Sequence, residues 1–427
     1  MYSHTIIAGL LFTSGIAHAQ IDSLKMNMDL RTRGELDNGV KTLIAKGKSA
    51  ETTVVSRARF GINYYYQKLE IYISSQDVRT WGETNSAAAK NQNFTLHEAW
   101  AKYPFSEKFA VKLGRQTLAY DNERLIGALD WAMQGRSFDA LKGIYTINQN
   151  SKIEAVLTYN NDDNDTNDLP DKEIYSIADG GEITKSLQVI HYQFSGHHKF
   201  LFSAIAMNTV LQNPSGTHYD MITVGINSKK YVDGIGFFGS AYYQAGKNTG
   251  GQTKNAYELC LNADFTVLPT LHLTAGAEWL SGNNYNTEQG KNQSFSPLYG
   301  TNHLYNGLMD YFYSGTSHFN TYGLNDYYLT STLTLNSDTD LKTALHSFTT
   351  NGKVGYDKSG NDLSSYLGSE LDLIFTKKIG KIITANLGHS FMLAGSTMEV
   401  LKNNPDPKKL QTWTWLAFKI NPNFRLK

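Results

Sequence analysis

The sequence predicts an all-β fold, a transmembrane antiparallel β-barrel of about 18 strands. Its turns would be short at the periplasmic end and its loops long on the extracellular side. Three observations predict this. Most of the chain alternates apolar and polar residues with period two. The gaps between alternating segments are short and long by turns. A secretory leader stands in front of them.

Composition bounds the alternatives. The chain has 427 residues, with 39 Lys+Arg against 39 Asp+Glu and a formal net charge of zero. That balance argues against a nucleic-acid partner, which normally demands a basic excess. Hydrophobic residues make up 41%, yet no run reaches the roughly 18 apolar residues of a spanning helix. With 26 Tyr and 20 Phe the chain is too aromatic to be disordered. A single cysteine, Cys260, excludes an intramolecular disulfide and a multi-cysteine zinc site. A soluble chain of this length usually divides into domains. No linker divides this one, so residues 20–427 read as a single barrel domain.

Residues 1–19 read as a signal peptide. Its apolar stretch runs from Ile6 to Ala17, and Ala17-His18-Ala19 is a small-x-small cleavage site. The n-region lacks Lys and Arg. The mature chain would begin at Gln20 and leave the cytoplasm.

The strands follow from the alternation. In 68–78, Leu69, Ile71 and Ile73 oppose Glu70, Tyr72, Ser74 and Gln76. In 271–280, Leu271, Leu273, Ala275, Ala277 and Trp279 oppose His272, Thr274, Gly276 and Glu278. In order, the expected strands are 23–33, 52–65, 68–78, 94–103, 108–119, 137–147, 152–160, 185–195, 198–208, 218–228, 235–245, 254–266, 271–280, 324–335, 341–348, 365–378, 381–392 and 411–420. The short gaps hold at most six residues and the long ones at least eight. A soluble sandwich has no reason to sort its loops so. An outer-membrane barrel does, and an even strand count returns both ends to the periplasm. Lipid requires every backbone group to be paired, which a closed barrel achieves without long apolar runs. Tyr64-Tyr65, Tyr242-Tyr243, Tyr327-Tyr328, Trp279, Trp413 and Trp415 suit interfacial girdles, although aromatics also favour strands as such. A barrel this wide is not filled by its own wall, so a channel or a loop plug follows.

Residues 111–145 contain Gly114-Arg115-Gln116, Arg124-Leu125-Ile126-Gly127, Trp131 and Gly135-Arg136-Ser137-Phe138-Asp139. This stretch resembles the alginate export family of outer-membrane barrels. A second stretch, Pro297-Leu298-Tyr299-Gly300-Thr301-Asn302-His303 to Gly307-Leu308-Met309-Asp310, is similar to a loop of the same family. The resemblance implies an eighteen-stranded barrel. It also implies export of an anionic polysaccharide through an Arg- and Lys-rich pore gated by loops. Many relatives have no demonstrated alginate role, so a porin for small anionic or sugar solutes is the other reading. The chain departs from common barrels by running past Phe424 to Arg425-Leu426-Lys427.

The alternation also places charges. Lys25, Arg31, Arg33, Arg57, Arg59 and Lys112 point inward, and Arg115, Arg124 and Arg136 lie on or beside the motif loop. The inward set elsewhere is acidic: Glu70, Glu98, Glu258, Asp264, Glu278, Glu370 and Asp372. An anion-selective constriction needs Arg and Lys around it. Arg57, Arg59, Lys112, Arg115, Arg124 and Arg136 are therefore the candidate pore-lining, solute-binding residues. The alternative is a structural ladder in which these arginines pair with acids such as Glu70, Glu98, Asp130 and Asp139. Loop 161–184 is rich in Asp and conceivable as a calcium site, but it lacks EF-hand spacing and reads better as a solvated acidic loop. Loop 281–323 is too long for an idle connection and is expected to fold over or into the barrel as an occluding element. His197-His198 reads as a polar turn and Cys260 as a packing residue, so no metal or cofactor is expected.

The expected function is a passive outer-membrane channel of a Gram-negative cell. Its partners would be outer-membrane lipid, the anionic polysaccharide or small solute, the barrel-assembly machinery and a periplasmic protein that feeds a polymer. A non-conducting docking or adhesion barrel is the alternative. A barrel enzyme is disfavoured, because the sequence has neither a Gly-x-Ser-x-Gly elbow nor His-Glu-x-x-His.

Overall fold

A computed structural model describes residues 23–83, 94–160, 183–197, 199–213, 215–312, 319–357, 359–404 and 406–426. The expected signal peptide 1–19, nearly all of the acidic loop 161–184, and His198 lie outside the described residues.

Eighteen staves form one closed antiparallel barrel. In chain order these are β1 (Ser23–Asn38), β2 (Glu51–Tyr66), β3 (Leu69–Thr80), β4 (Phe94–Pro104), β5 (Phe109–Gln116), β6 (Phe138–Asn148), β7 (Ser151–Tyr159), β8 (Ile183–Ser195), β9 (Leu201–Gln212), β10 (His218–Val232), β11 (Ile235–Lys247), β12 (Thr253–Leu268) and β13 (Leu271–Leu280). After a two-residue strand β14 (Lys291–Asn292) come β15 (Leu324–Asn336), β16 (Thr339–Thr349), β17 (Tyr366–Ile379), β18 (Ile383–Ala394) and β19 (Leu410–Ile420). A short β20 (Asn423–Leu426) continues β19 in the same register against β1, Leu30 facing Ile420 and Asn27 facing Asn423. The break falls at Pro422, which has no N–H for the ladder but accepts from the Met28 N–H at 3.2 Å. Because β1 also pairs with β2 along its length, no edge is left open.

The expected strand order and count match the barrel. The loop lengths match less well. The external connections 213–217 and 248–252 are only five residues each, no longer than the periplasmic turn 196–200. There β9 to β12 extend further outward than the alternation suggested. The remaining turns are tight; Asp233-Gly234, with φ 49 and 82, is the left-handed pair that a two-residue hairpin needs.

The outer surface carries an apolar band of exposed side chains such as Phe60, Ile73, Leu113, Leu157, Ile190, Ile226, Leu261, Leu345 and Leu416. The aromatic expectation needs correction. Alternation sends only one residue of each Tyr pair outward. Tyr243 and Tyr327 are exposed, whereas Tyr242 is buried inside. Trp279 meets Tyr327 on the outer face, but Trp413 and Trp415 are buried inside the barrel.

The hydrophobic core also lies inside the barrel. Leu118, Tyr120, Leu125 and Ile126 of loop 117–137, with Phe295, Leu298 and Tyr299 of loop 281–323, join one buried cluster with the wall residues Val156, Leu187, Val189, Ile205, Met207 and Leu211. Fully burying each such side chain contributes about 1.5–3 kcal/mol. Met309, Tyr311 and Phe312 extend the cluster to Phe348, Leu367 and Met392. The strands β8 and β9 therefore carry aliphatic residues on both faces, one for lipid and one for the loops.

Candidate functional site: a solute path beside two clasped loops

Loops 117–137 and 281–323 are joined across the lumen. The Gly127 N–H donates to Tyr299 O at 2.8 Å and the Thr301 N–H to Glu123 O at 2.9 Å. Arg136 Nη1 donates to the carbonyl of Tyr299 and, at 3.3 Å, to those of Gly127 and Gly300. Arg136 thus fastens the two loops to each other.

Arg124 anchors the clasp to the wall of β13. Its Nε lies 2.8 Å from Glu278 Oε1, and both side chains are sealed, 1% and 3% exposed. Arg124 Nη2 also donates to Asn306 Oδ1 at 3.0 Å, and Tyr305 lies under the guanidinium. Nearby wall carboxylates grip the loop backbone. Glu370 accepts from the Met309 N–H at 2.8 Å and Asp372 from the Leu308 N–H at 3.3 Å. Gly307, with φ 83, lies against the Glu370 carboxylate, where a Cβ would collide.

A second anchor lies on β1 and β2. Arg31 faces Arg57 across this pair, and Asp29 faces Arg59. The four arginines of these strands take consecutive stretches of one loop segment. Arg31 Nη1 donates to Asp130 O at 2.7 Å, Arg33 Nη1 to Trp131 O at 3.1 Å, Arg57 Nη1 to Met133 O at 3.0 Å and Arg59 Nη2 to Gln134 O at 3.1 Å. The Asp130 carboxylate lies 2.5 Å from Arg31, 3.2 Å from Arg57 and 3.9 Å from Arg59. Burial pushes the pKa of Asp130 up, but Arg31 and then Arg57 outweigh it and hold the carboxyl below the usual range. Trp131 stacks on His303 at 4.2 Å, meets Trp415 edge-on and lies against Arg33.

The candidate residues therefore do not stand in one ring. Arg57 and Arg59 hold loop 117–137 on one side of the barrel and Arg124 holds it on the other. Arg115 stands apart from both. It shares the strand face of Leu113, donates to Asp139 at 2.9 Å and to Leu96 O at 3.2 Å near the outer rim, and borders the outer cavity described below. Pairing with Asp29, Asp130, Asp139 and Glu278 follows the ladder alternative for four of the six.

Lys112 stands in different company. It lies directly opposite Lys102 on β4 and Lys142 on β6. These three inward lysines make one row across neighbouring strands, and its Lys142 end shares the Glu154 carboxylate with Tyr120 of loop 117–137. Lys112 rests over Trp100 at 3.6 Å and Lys142 is 3.3 Å from Glu154. Sequence reasoning placed Lys112 but missed its two neighbours, because register was not assigned between strands.

Two cavities flank the clasp. The outer one, about 850 Å³, lies between loop residues 129–135 and the β1–β4 wall, with Arg33, Gln76, His97 and Trp131 lining it. His97 reaches it through a β-bulge, since Ser74 pairs with Glu98 and Ser75 with Leu96. The inner one, about 360 Å³, lies beneath residues 303–308 and is lined by Glu278, Asp326, Asp372, Tyr328, His346 and Lys342. Among the described residues no group of three or more His, Cys, Asp or Glu is placed to hold a metal ion.

A closed barrel with a lipid-facing belt, inward polar residues and loops inside its lumen defines an outer-membrane barrel channel. The alginate export family model matches residues 22–406, and the chain belongs to that family. No curated protein sequence matches it. Solved structures share the fold at low identity. OccAB1 of Acinetobacter baumannii is 10% identical with a TM-score of 0.65, covering 95% of this chain and 99% of that one. OccAB4 of Acinetobacter baumannii is 9% identical with a TM-score of 0.63, covering 96% and 100%. OpdK of Pseudomonas aeruginosa, solved with vanillate, is 9% identical with a TM-score of 0.58, covering 94% and 99%.

Proposed function

We propose that this barrel is a passive channel for small anionic solutes, carboxylates foremost, restricted by the clasped loops 117–137 and 281–323. The observation that carries this reading is the row Lys102–Lys112–Lys142. Like charges directly opposite on neighbouring strands destabilise a sheet, by about 0.2–1 kcal/mol per pair. A row of three placed in the lumen makes sense where an anion passes and shares it. Lys102 and Lys112 form no ion pair among the described residues, although Glu70 stands directly opposite Lys102, so both ammonium groups can also serve a solute. The vanillate carried by OpdK is a small aromatic carboxylate of the size that the outer cavity accepts.

Export of an anionic polysaccharide, the second reading, is favoured by the family. It requires both loops to leave the lumen together, against the buried Arg124–Glu278 anchor. A planar bilayer under a KCl gradient separates the readings. An anion-selective reversal potential, with conductance that responds to small carboxylates and not to alginate oligomers, is expected. Block by the oligomers alone favours the polymer. Cation selectivity removes the anionic-solute reading, and silence from folded protein favours a docking barrel.

A further inference from the structure

The segment 130–134 is bound by the barrel wall the way a ligand would be. Four arginines on two adjacent strands donate to four of its carbonyls, and three of them, Arg31, Arg57 and Arg59, pair with its one carboxylate. The arginines are at most 15% exposed where they are paired, whereas the Asp130 side chain is 50% exposed. Solvent therefore reaches the site from the side of the acid. The segment is bounded by two left-handed residues, Leu129 at φ 51 and Gly135 at φ 66. Leu129 has a Cβ and pays for that conformation, so the closed position stores strain at its edge.

The local charge is unbalanced. Arg31, Arg33, Arg57, Arg59 and Lys419 face Asp29, Glu35 and Asp130, which leaves two positive charges in excess. Without Asp130 the excess is three. A buried excess of this kind calls for an anion. Guanidinium forks accept any carboxylate of suitable geometry, and Asp130 has no special claim on them.

We infer that the Arg31–Arg33–Arg57–Arg59 cradle is a carboxylate-binding site occupied by its own loop, and that an incoming carboxylate displaces Asp130 and swings segment 130–134 off the β1–β2 wall. This deepens the anion-channel reading and rests on it. The outer cavity borders Arg33 and residues 131–134, so a solute arriving from outside reaches the edge of this contact, next to Asp130. Trp131, stacked on His303, and buried Met133 give the closed position its apolar hold. The arginines supply the part that a solute can replace.

The test uses the full chain in planar bilayers, with citrate as the carboxylate probe added on the extracellular side after the reversal potential has been recorded in KCl. Wild-type conductance is expected to rise with citrate and to saturate. D130N is expected to start several-fold more conductive and to gain nothing from citrate, while D406N, in an exposed pair with Lys46, behaves as wild type. Met133→Cys, in a Cys260→Ser background, should react faster with a water-soluble thiol reagent when citrate is present. That labelling arm decides the matter if D130N does not fold. Conductance that citrate leaves unchanged or lowers, with labelling unaltered, overturns the displaceable contact. A cation-selective reversal potential before citrate instead overturns the channel reading beneath it.

Discussion

Loop 117–137 is tied to the barrel by two arginine–carboxylate anchors built in opposite senses. At the β13 end the loop supplies the cation, Arg124, and the wall supplies Glu278; both are sealed from solvent. At the β1–β2 end the loop supplies the acid, Asp130, and the wall supplies Arg31, Arg57 and Arg59; the acid is half exposed. Burial decides what each can do. A sealed pair cannot lose one partner without stranding a charge in a poorly solvated site. A half-exposed pair exchanges partners with water, salt or solute at little cost. The first fixes the loop and the second leaves it free to move at one end.

The sharpest way to break this contrast is Arg124→Ala. It strands Glu278 beside Glu258 and should cost about 3–5 kcal/mol of barrel stability. The denaturant midpoint of the barrel in detergent or vesicles reads it; a loss below about 1 kcal/mol would mean water reaches the anchor. Next in size is Lys402, which follows the short helix α1 (Ser396–Leu401) on the external loop 395–409. Burial pushes its ammonium down to about 8, although it donates to Lys41 O at 2.7 Å and Tyr311 O at 2.9 Å. The folded form binds fewer protons than the unfolded one between about 8 and the ordinary lysine value. Stability should therefore rise with pH across that window, by about 1–3 kcal/mol. Lys402→Met should abolish the rise, measured by unfolding midpoints at both ends of the window. The smallest expected effect on stability is that of Asp130→Asn, under about 1 kcal/mol. Its consequence should appear in conductance instead. If Asp130→Asn proves as damaging to stability as Arg124→Ala, the two anchors are alike and the contrast fails.

The barrel was legible because period-two alternation reports each strand's two faces directly. Lys25, Arg31, Arg57 and Glu278 were placed inward on that rule alone. The arginine partners were legible only as a set of acids, since Asp130 and Asp139 are near the motif and Glu278 is far from it in sequence. The interior was less legible. Trp413 and Trp415 resemble girdle residues until the loop that covers them is known. The signal was present in β8 and β9, where Leu187, Val189, Ile205 and Met207 make the inward face apolar. A wall facing only water has no use for them. Register explains the remaining gap. Lys102, Lys112 and Lys142 lie in three separate strands, and only pairing shows that they form one row.

The most direct test of the anionic path is the reversal potential of the wild-type channel under a KCl gradient, measured beside a variant carrying Lys102→Gln, Lys112→Gln and Lys142→Gln. The account predicts anion preference in the wild type and a marked loss of it in the variant, with the barrel still folded. Equal reversal potentials in the two proteins would contradict it.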